Sequence, residues 1–166
     1  MDTIAFSPIG IIHSLFRGTV GVPIQPSLSQ GALGTVEVYP EYMEGLASLD
    51  RFSHIYLIYY FHLSKGYSLT VKPFLDAASH GVFATRAPKR PNGIGISVVE
   101  LMRIEKNVLH IKNIDIVDGT PLLDIKPYAR TFDWYATTKD GWLADKTQGV
   151  THHCADDRFT DKNTAT

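Results

Sequence analysis

Residues Ile96 to Asp118 read ISVVELMRIEKNVLHIKNIDIVD, and this stretch decides the fold class. Ile96 to Ile104 reads as a strand. Glu105-Lys106-Asn107 supplies a hairpin turn, and Val108 to Asp118 returns as a second strand. The alternation slips at Lys112-Asn113, as a β-bulge would make it slip. Upstream, Phe52 to His62 (FSHIYLIYYFH) is almost continuously apolar and aromatic, which predicts a central strand buried on both faces. Ile4 to Ser14 predicts a first strand, with Pro8 and Gly10 marking an edge or a bulge. Thr35 to Tyr39 alternates as a short strand, and Pro40-Glu41 opens a short helix with Tyr42, Leu46 and Leu49 on one face and Gly45 weakening it. Ser68 to Lys72 and Leu122 to Tyr128 add two more strand-like runs.

Hairpins in succession, without regular strand–helix–strand alternation, predict a mainly β protein of one domain. The expected architecture is a mostly antiparallel, closed or nearly closed β-barrel with one or two short helices. The barrel domain is expected over residues 1–142. Trp134, Tyr135 and Trp142 are candidates to dock its last segment, and residues 143–166 read as a polar, flexible tail.

Composition narrows the function classes. The chain has 166 residues, 44% of them hydrophobic and 20% charged, as in an ordinary globular domain. Net charge is −1, so there is no global basic field to hold nucleic acid, and any such site must be local. A single cysteine, Cys154, excludes an intrachain disulfide framework and a multi-cysteine metal site, and suits a reducing cytoplasm. His152-His153-Cys154 contains ligand-type residues but no fourth ligand at ligand spacing, so no metal is expected. No apolar run approaches the roughly 18 residues of a membrane span, and the N-terminus lacks a signal-peptide pattern. Neither secretion nor insertion is expected.

The most unusual loop is His80 to Ser97, HGVFATRAPKRPNGIGIS. An apolar, strand-like run (Gly81 to Ala84) leads into Arg86, Lys89 and Arg90, spaced by Pro88 and Pro91, and the stretch closes on Asn92-Gly93-Ile94-Gly95. Prolines stiffen the backbone, glycines allow close approach, and the cations favour an anionic group. The plain alternative is a solvated connection whose charges confer solubility. Gly18 to Gly34 is dense in breakers and contains Gln25-Pro26-Ser27-Leu28, a candidate ligand wall. His62 ends the aromatic strand, as a hydrogen-bonded cap or a catalytic group. Asp118, Asp124, Lys126 and Tyr128 crowd into eleven residues around the turn Asp118-Gly119-Thr120-Pro121, and spacing does not decide between turn closure and ligand binding. Familiar nucleotide and zinc signatures fail: Val98 stands where a dinucleotide fingerprint needs glycine, and there is neither a phosphate-loop Gly-Lys-Ser/Thr nor a His-Glu-x-x-His.

Gly81-Val82-Phe83-Ala84-Thr85-Arg86 with Arg90-Pro91-Asn92, followed by Asp118-Gly119-Thr120-Pro121 and Asp124-Ile125-Lys126-Pro127-Tyr128, resembles the TsaA-like, or TrmO, family. Gly10 to Ser14, Pro23 to Pro26, Phe52 to Ile55 and Phe61-His62 add to the likeness. Gly93 stands where the family usually has a second proline. The resemblance implies an S-adenosylmethionine-dependent methyltransferase acting on N6 of the threonylcarbamoyl-modified adenosine beside the tRNA anticodon, built on a β-barrel that forms homodimers. It implies a cofactor site lined by Pro26, Ser27, Leu28, His62, Leu63, Arg86, Ile96, Thr120, Pro121, Leu122, Leu123 and Asp124. On that footing Arg86 pairs the cofactor carboxylate, and Asp118, Asp124 or His62 is the candidate acceptor of the N6 proton. Lys89, Arg90, Lys126 and Arg130 would meet tRNA phosphates, with Tyr128 available to stack on a base. DNA and membrane partners are not expected. Two other readings stay open: a non-catalytic barrel that binds a nucleotide-like ligand or RNA, and a methyltransferase for another substrate.

Overall fold

Buried and half-buried residues alternate along β6 (Ile94–Glu105) and β7 (Val108–Lys112), the hairpin arms, as expected of strands with a single core face. Lys106 turns the hairpin with a φ of 58°, and Asn107 anchors the turn to the next strand by donating from Nδ2 to the Val38 carbonyl at 2.8 Å. In this computed structural model, which describes residues 3–160, those arms join β1 (Gly10–His13), β2 (Leu33–Val38), β3 (His54–Tyr60) and β8 (Thr120–Pro127). The six strands close in the order β1-β2-β7-β6-β3-β8, every neighbouring pair antiparallel. Closure leaves the barrel itself without an open edge to template aggregation. A separate two-stranded ribbon, β4 (Thr70–Val71) with β5 (His80–Gly81), stands beside the barrel.

The core is the barrel interior, filled by Ile12, Val36, Ile55, Leu57, Val99, Leu109, Ile114 and Leu122, each fully enclosed. This corrects the expectation for the aromatic strand. β3 is buried on one face only: Ile55, Leu57 and Tyr59 point inward, while Tyr56 and Ile58 are half-buried and Tyr60 is exposed. A barrel strand has one inside, so its apolar outer residues lie on the surface.

Other expectations shift in detail. The first strand is confined to Gly10–His13, where Gly10 lies so close to β2 that a Cβ would sit 2.3 Å from the Glu37 carbonyl oxygen. The Pro40–Leu46 segment is a 3₁₀ helix rather than an α-helix, and Gly81 to Ala84 is not a strand: only His80–Gly81 pairs, and Val82–Ala84 makes a 3₁₀ turn. The slip at Lys112-Asn113 ends the strand, with Asn113 at a φ of 65°, and the register shift falls on the facing strand between Leu101 and Arg103. A four-residue helix, α1 (Arg130–Asp133), follows β8.

The described part of the C-terminal segment packs on the loops beside the barrel. Cys154 bridges to Pro23, Ala155 N–H donates to the Val22 carbonyl at 2.7 Å, and Arg158 reaches the Pro73 carbonyl. Phe159 packs on the small second core of Val71, Val82 and Ala87. Among the described residues, no helix is long and apolar enough to cross a membrane.

Candidate functional site

The loop after β5 is wound around one of its own cations. Arg90 donates from Nη1 to the carbonyls of Thr85 at 2.9 Å and Val82 at 3.1 Å, and its guanidinium lies over the Phe83 ring. Buried Thr85 closes the same turn, donating from Oγ1 to Val82 at 2.9 Å and accepting from Ala87 N–H. An arginine that satisfies buried carbonyls stiffens the loop from within. Arg86 is left to project from it, exposed, against the side chain of Gln25.

Arg86 stands where three hollows meet. The first is walled by Val22, Ile24, Phe61, His62, Leu63, Asp115, Thr120 and Phe159. The second lies toward Ser27, Leu28, Phe83, Trp142 and Leu143. The third runs along the barrel rim past Tyr59, Arg90, Ile94, Gly95 and Ile96. Trp142 is pinned to the second wall by donating from Nε1 to the Ala84 carbonyl at 2.7 Å and by stacking on His80. The exposed Arg86 guanidinium, mostly apolar walls and a few polar groups suit an amphipathic ligand with an anionic end.

At the floor, between the first and third hollows, lies Asp115, which the sequence reading did not single out. Ser97 donates from Oγ to Asp115 Oδ1 at 2.6 Å, and Tyr59 Oη lies 3.1 Å from the same Ser97 oxygen. Burial pushes the Asp115 carboxyl up to about 7, against the opposite pulls of Ser97, its own amide and Arg86. Burial likewise raises the Tyr59 phenol, so Tyr59 stays a donor. The signal in the sequence was a lone carboxylate inside the apolar run Ile114-Asp115-Ile116-Val117.

The structure brings together part of the expected cofactor set. His62, Leu63, Arg86 and Thr120 line the first hollow, Ser27 and Leu28 the second, and Ile96 the third. Partial burial holds the His62 imidazole below its ordinary value, opposed by a hydrogen bond with the Tyr60 backbone. Pro26 opens the 3₁₀ turn that carries Ser27 and Leu28. Along β8 the side chains diverge: Leu122 is sealed in the core, Pro121 and Leu123 are half-buried on the opposite side, and Asp124 lines a separate depression with Ile9 and Tyr42.

Of the candidate proton acceptors, only His62 is in the hollow. Asp118 accepts from Ser14 N–H at 3.0 Å and pairs with Arg17 and His13, which holds its carboxyl below the usual range, the Ser14 hydrogen bond first among the causes. Asp124 pairs with Lys126 at 2.8 Å on the outside of the barrel. The candidate RNA contacts are scattered. Arg90 is engaged within its loop, Lys89 donates to the Lys65 carbonyl, Tyr128 packs against Tyr56 and His54, and Arg130 is exposed on α1.

A closed antiparallel barrel whose hollows meet at an arginine, with a half-buried carboxylate of raised pKa on their shared wall, is the class of fold that takes a small-molecule ligand. Residues 11–134 match the tRNA-methyltransferase O N-terminal domain family, and the chain belongs to that family. It is 51% identical over 160 residues to a probable S-adenosyl-L-methionine-binding protein of Pyrococcus abyssi, covering 96% of this chain and 87% of the relative. It is 36% identical over 135 residues to the human tRNA (adenine(37)-N6)-methyltransferase, covering 76% of this chain but only 30% of that protein. The crystal structure of TrmO from Pseudomonas aeruginosa superposes with a TM-score of 0.71 at 43% identity, covering 85% of this chain and 63% of that one. The chain thus spans most of the archaeal relative and about a third of the human one.

Proposed function

We propose that this protein is an S-adenosylmethionine-dependent methyltransferase of tRNA, acting on N6 of the threonylcarbamoyl-modified adenosine next to the anticodon. The observation that carries the reading is Arg86 at the junction of three hollows whose walls come from separate stretches of the chain. When bound, the cofactor supplies an activated methyl group on a sulfonium centre. The chain's own residues supply recognition: Arg86 for the carboxylate, Thr120 for a polar contact, and His62, Leu63, Ser27, Leu28 and Ile96 as walls. Holding methyl donor and acceptor nitrogen in line accounts for much of the rate in such a transfer. A neutral His62 suits a wall that must not repel a sulfonium cation.

A homodimer belongs to the same proposal. Tyr60, Ile94 and Ile96 are 45%, 41% and 50% exposed on the outer face of β3 and β6, where Tyr60 pairs with Ile94 and Ile58 with Ile96. A second copy seated on this apolar strip, which a monomer would leave in water, would also close over the third hollow that Ile94 and Ile96 line. The expected setting is the cytoplasm, where tRNA is modified.

The reading is tested by incubating the protein with labelled S-adenosylmethionine and tRNA carrying or lacking the threonylcarbamoyl group. Label confined to the modified tRNA is the expected result. Label in neither would leave a ligand-binding module, and label in both would widen the substrate. Calorimetry adds a second check: Arg86→Ala should weaken S-adenosylmethionine binding by at least about tenfold, the scale of a charge-assisted hydrogen bond, and unchanged affinity would remove Arg86 from the site.

A further inference from the structure

We propose that Asp115 is the group that takes the N6 proton of the target adenine, with Ser97 and Tyr59 as its positioning residues. The inference rests on the methyltransferase reading above and assigns the proton transfer to a carboxylate outside the motif that the family resemblance picked out.

Three observations carry it. Asp115 lies on the wall shared by the first and third hollows, together with Arg86, Tyr59 and Phe61, so a group held in either hollow meets it. Its Oδ1 accepts from Ser97 at 2.6 Å, and among the described residues no other residue donates a hydrogen bond to its carboxylate. Asp115 is half-buried and lines both hollows, so its carboxylate can be reached from the cleft. Finally, Ser97 and Tyr59 are buried on neighbouring strands, so Tyr59 O–H, Ser97 O–H and Asp115 form one rigid chain of donors ending at the carboxylate.

The chemistry balances without a further reactant. The adenine N6 lone pair forms a new N–C bond to the donor methyl, the donor's C–S bond breaks, and its electron pair stays on sulfur as a neutral thioether. The positive charge left on nitrogen is relieved as the N6 proton passes to the Asp115 carboxylate, which later returns it to solvent. A carboxylate that burial brings near neutrality is a stronger base than an ordinary one and still half-ionised at working pH. The charged or titratable groups sharing its hollows are Tyr59, His62, Arg86, Arg90 and Asp156; Arg86 opposes the effect of burial on Asp115.

The test uses the full chain, S-adenosylmethionine and threonylcarbamoyl-modified tRNA. Asp115→Asn should lower kcat by about 10²- to 10⁴-fold, the usual worth of a general base, abolish the rise of kcat with pH near neutrality, and leave cofactor affinity by calorimetry within about threefold of wild type, well short of the tenfold that 1.4 kcal/mol would give. Ser97→Ala removes a hydrogen bond that lowers the Asp115 value, so the rising limb should move to higher pH. Without any substrate, the Asp115 carboxyl followed by carbon NMR should titrate near neutrality, and at higher pH in Ser97→Ala. A near-normal kcat in Asp115→Asn overturns the proposal. So does a parallel loss of cofactor affinity, which would make Asp115 a cofactor ligand. If Asp115→Asn does not fold, an unmoved limb in Ser97→Ala overturns it instead. Wild type that binds cofactor but methylates no tRNA refutes the function proposed above, and does so independently of any Asp115 variant.

Discussion

Two carboxylates three residues apart, Asp115 and Asp118, sit in opposite electrostatic settings. Asp115 lines the cleft, where loss of water outweighs the pulls of Ser97, its own amide and Arg86 and lifts its carboxyl to about 7. Asp118 stands at the turn into β8, where Ser14 N–H, Arg17 and His13 converge on it and hold its carboxyl low. Only Ile116-Val117 separates them. Residue type therefore says little here about proton chemistry. What decides is whether donors outnumber the water lost, and that depends on which neighbours the turn brings near.

The largest effect expected is on the cleft side. Gly95 has no room for a Cβ, which would lie 2.3 Å from the Tyr59 ring and 2.9 Å from Phe61. Gly95→Ala should destabilise the fold by about 3 kcal/mol, the upper part of the overpacking range, measured by urea unfolding. By displacing Tyr59 it should also disturb the Asp115 titration, and a stable variant with an unchanged titration would uncouple Tyr59 from the carboxylate.

Next in size are opposite pH dependences of stability. Asp115 has a folded value above its unfolded one, so it favours folding while protonated, and that contribution fades as pH rises from about 4 toward 7. Asp115→Asn should therefore be more stable than wild type at pH 8 and little different from it at pH 4. Asp118 has a folded value below its unfolded one, so its contribution is present above pH 4 and is lost as pH falls through the folded value. Asp118→Ala should cost about 1–2 kcal/mol at neutral pH and progressively less in acid. Thermal melts at both pH values check the pair, and curves of the same sign would collapse the contrast.

The smallest expected effect separates the two arginines of the loop. Arg90→Ala strips the donor from the Val82 and Thr85 carbonyls, and should loosen the loop by about 1 kcal/mol. It should also raise hydrogen exchange at residues 82–90. Unchanged exchange there would mean that the prolines alone stiffen the loop.

The antiparallel barrel is legible in the chain alone, because alternation with a period of two and hairpin turns are local properties. Lys106-Asn107 and the strands around it carry that information in adjacent residues. It also marked the loop that bears Arg86, since its prolines, glycines and cations are unusual side by side. Which charged group faces what depends on long-range packing. β3 looked buried on both faces because its outer residues are as apolar as its inner ones, and closure of the sheet, a property of six strands together, gave it a single inside. Arg90 turned inward to three neighbouring carbonyls, one of them the Ala87 carbonyl at 3.4 Å, while Arg86 was left outside. Cys154 to Phe159 completes a cleft wall more than a hundred residues from Val22 and Pro23. Asp115 acquired its partners from β3 and β6, and burial by distant segments is what separates its chemistry from that of Asp118.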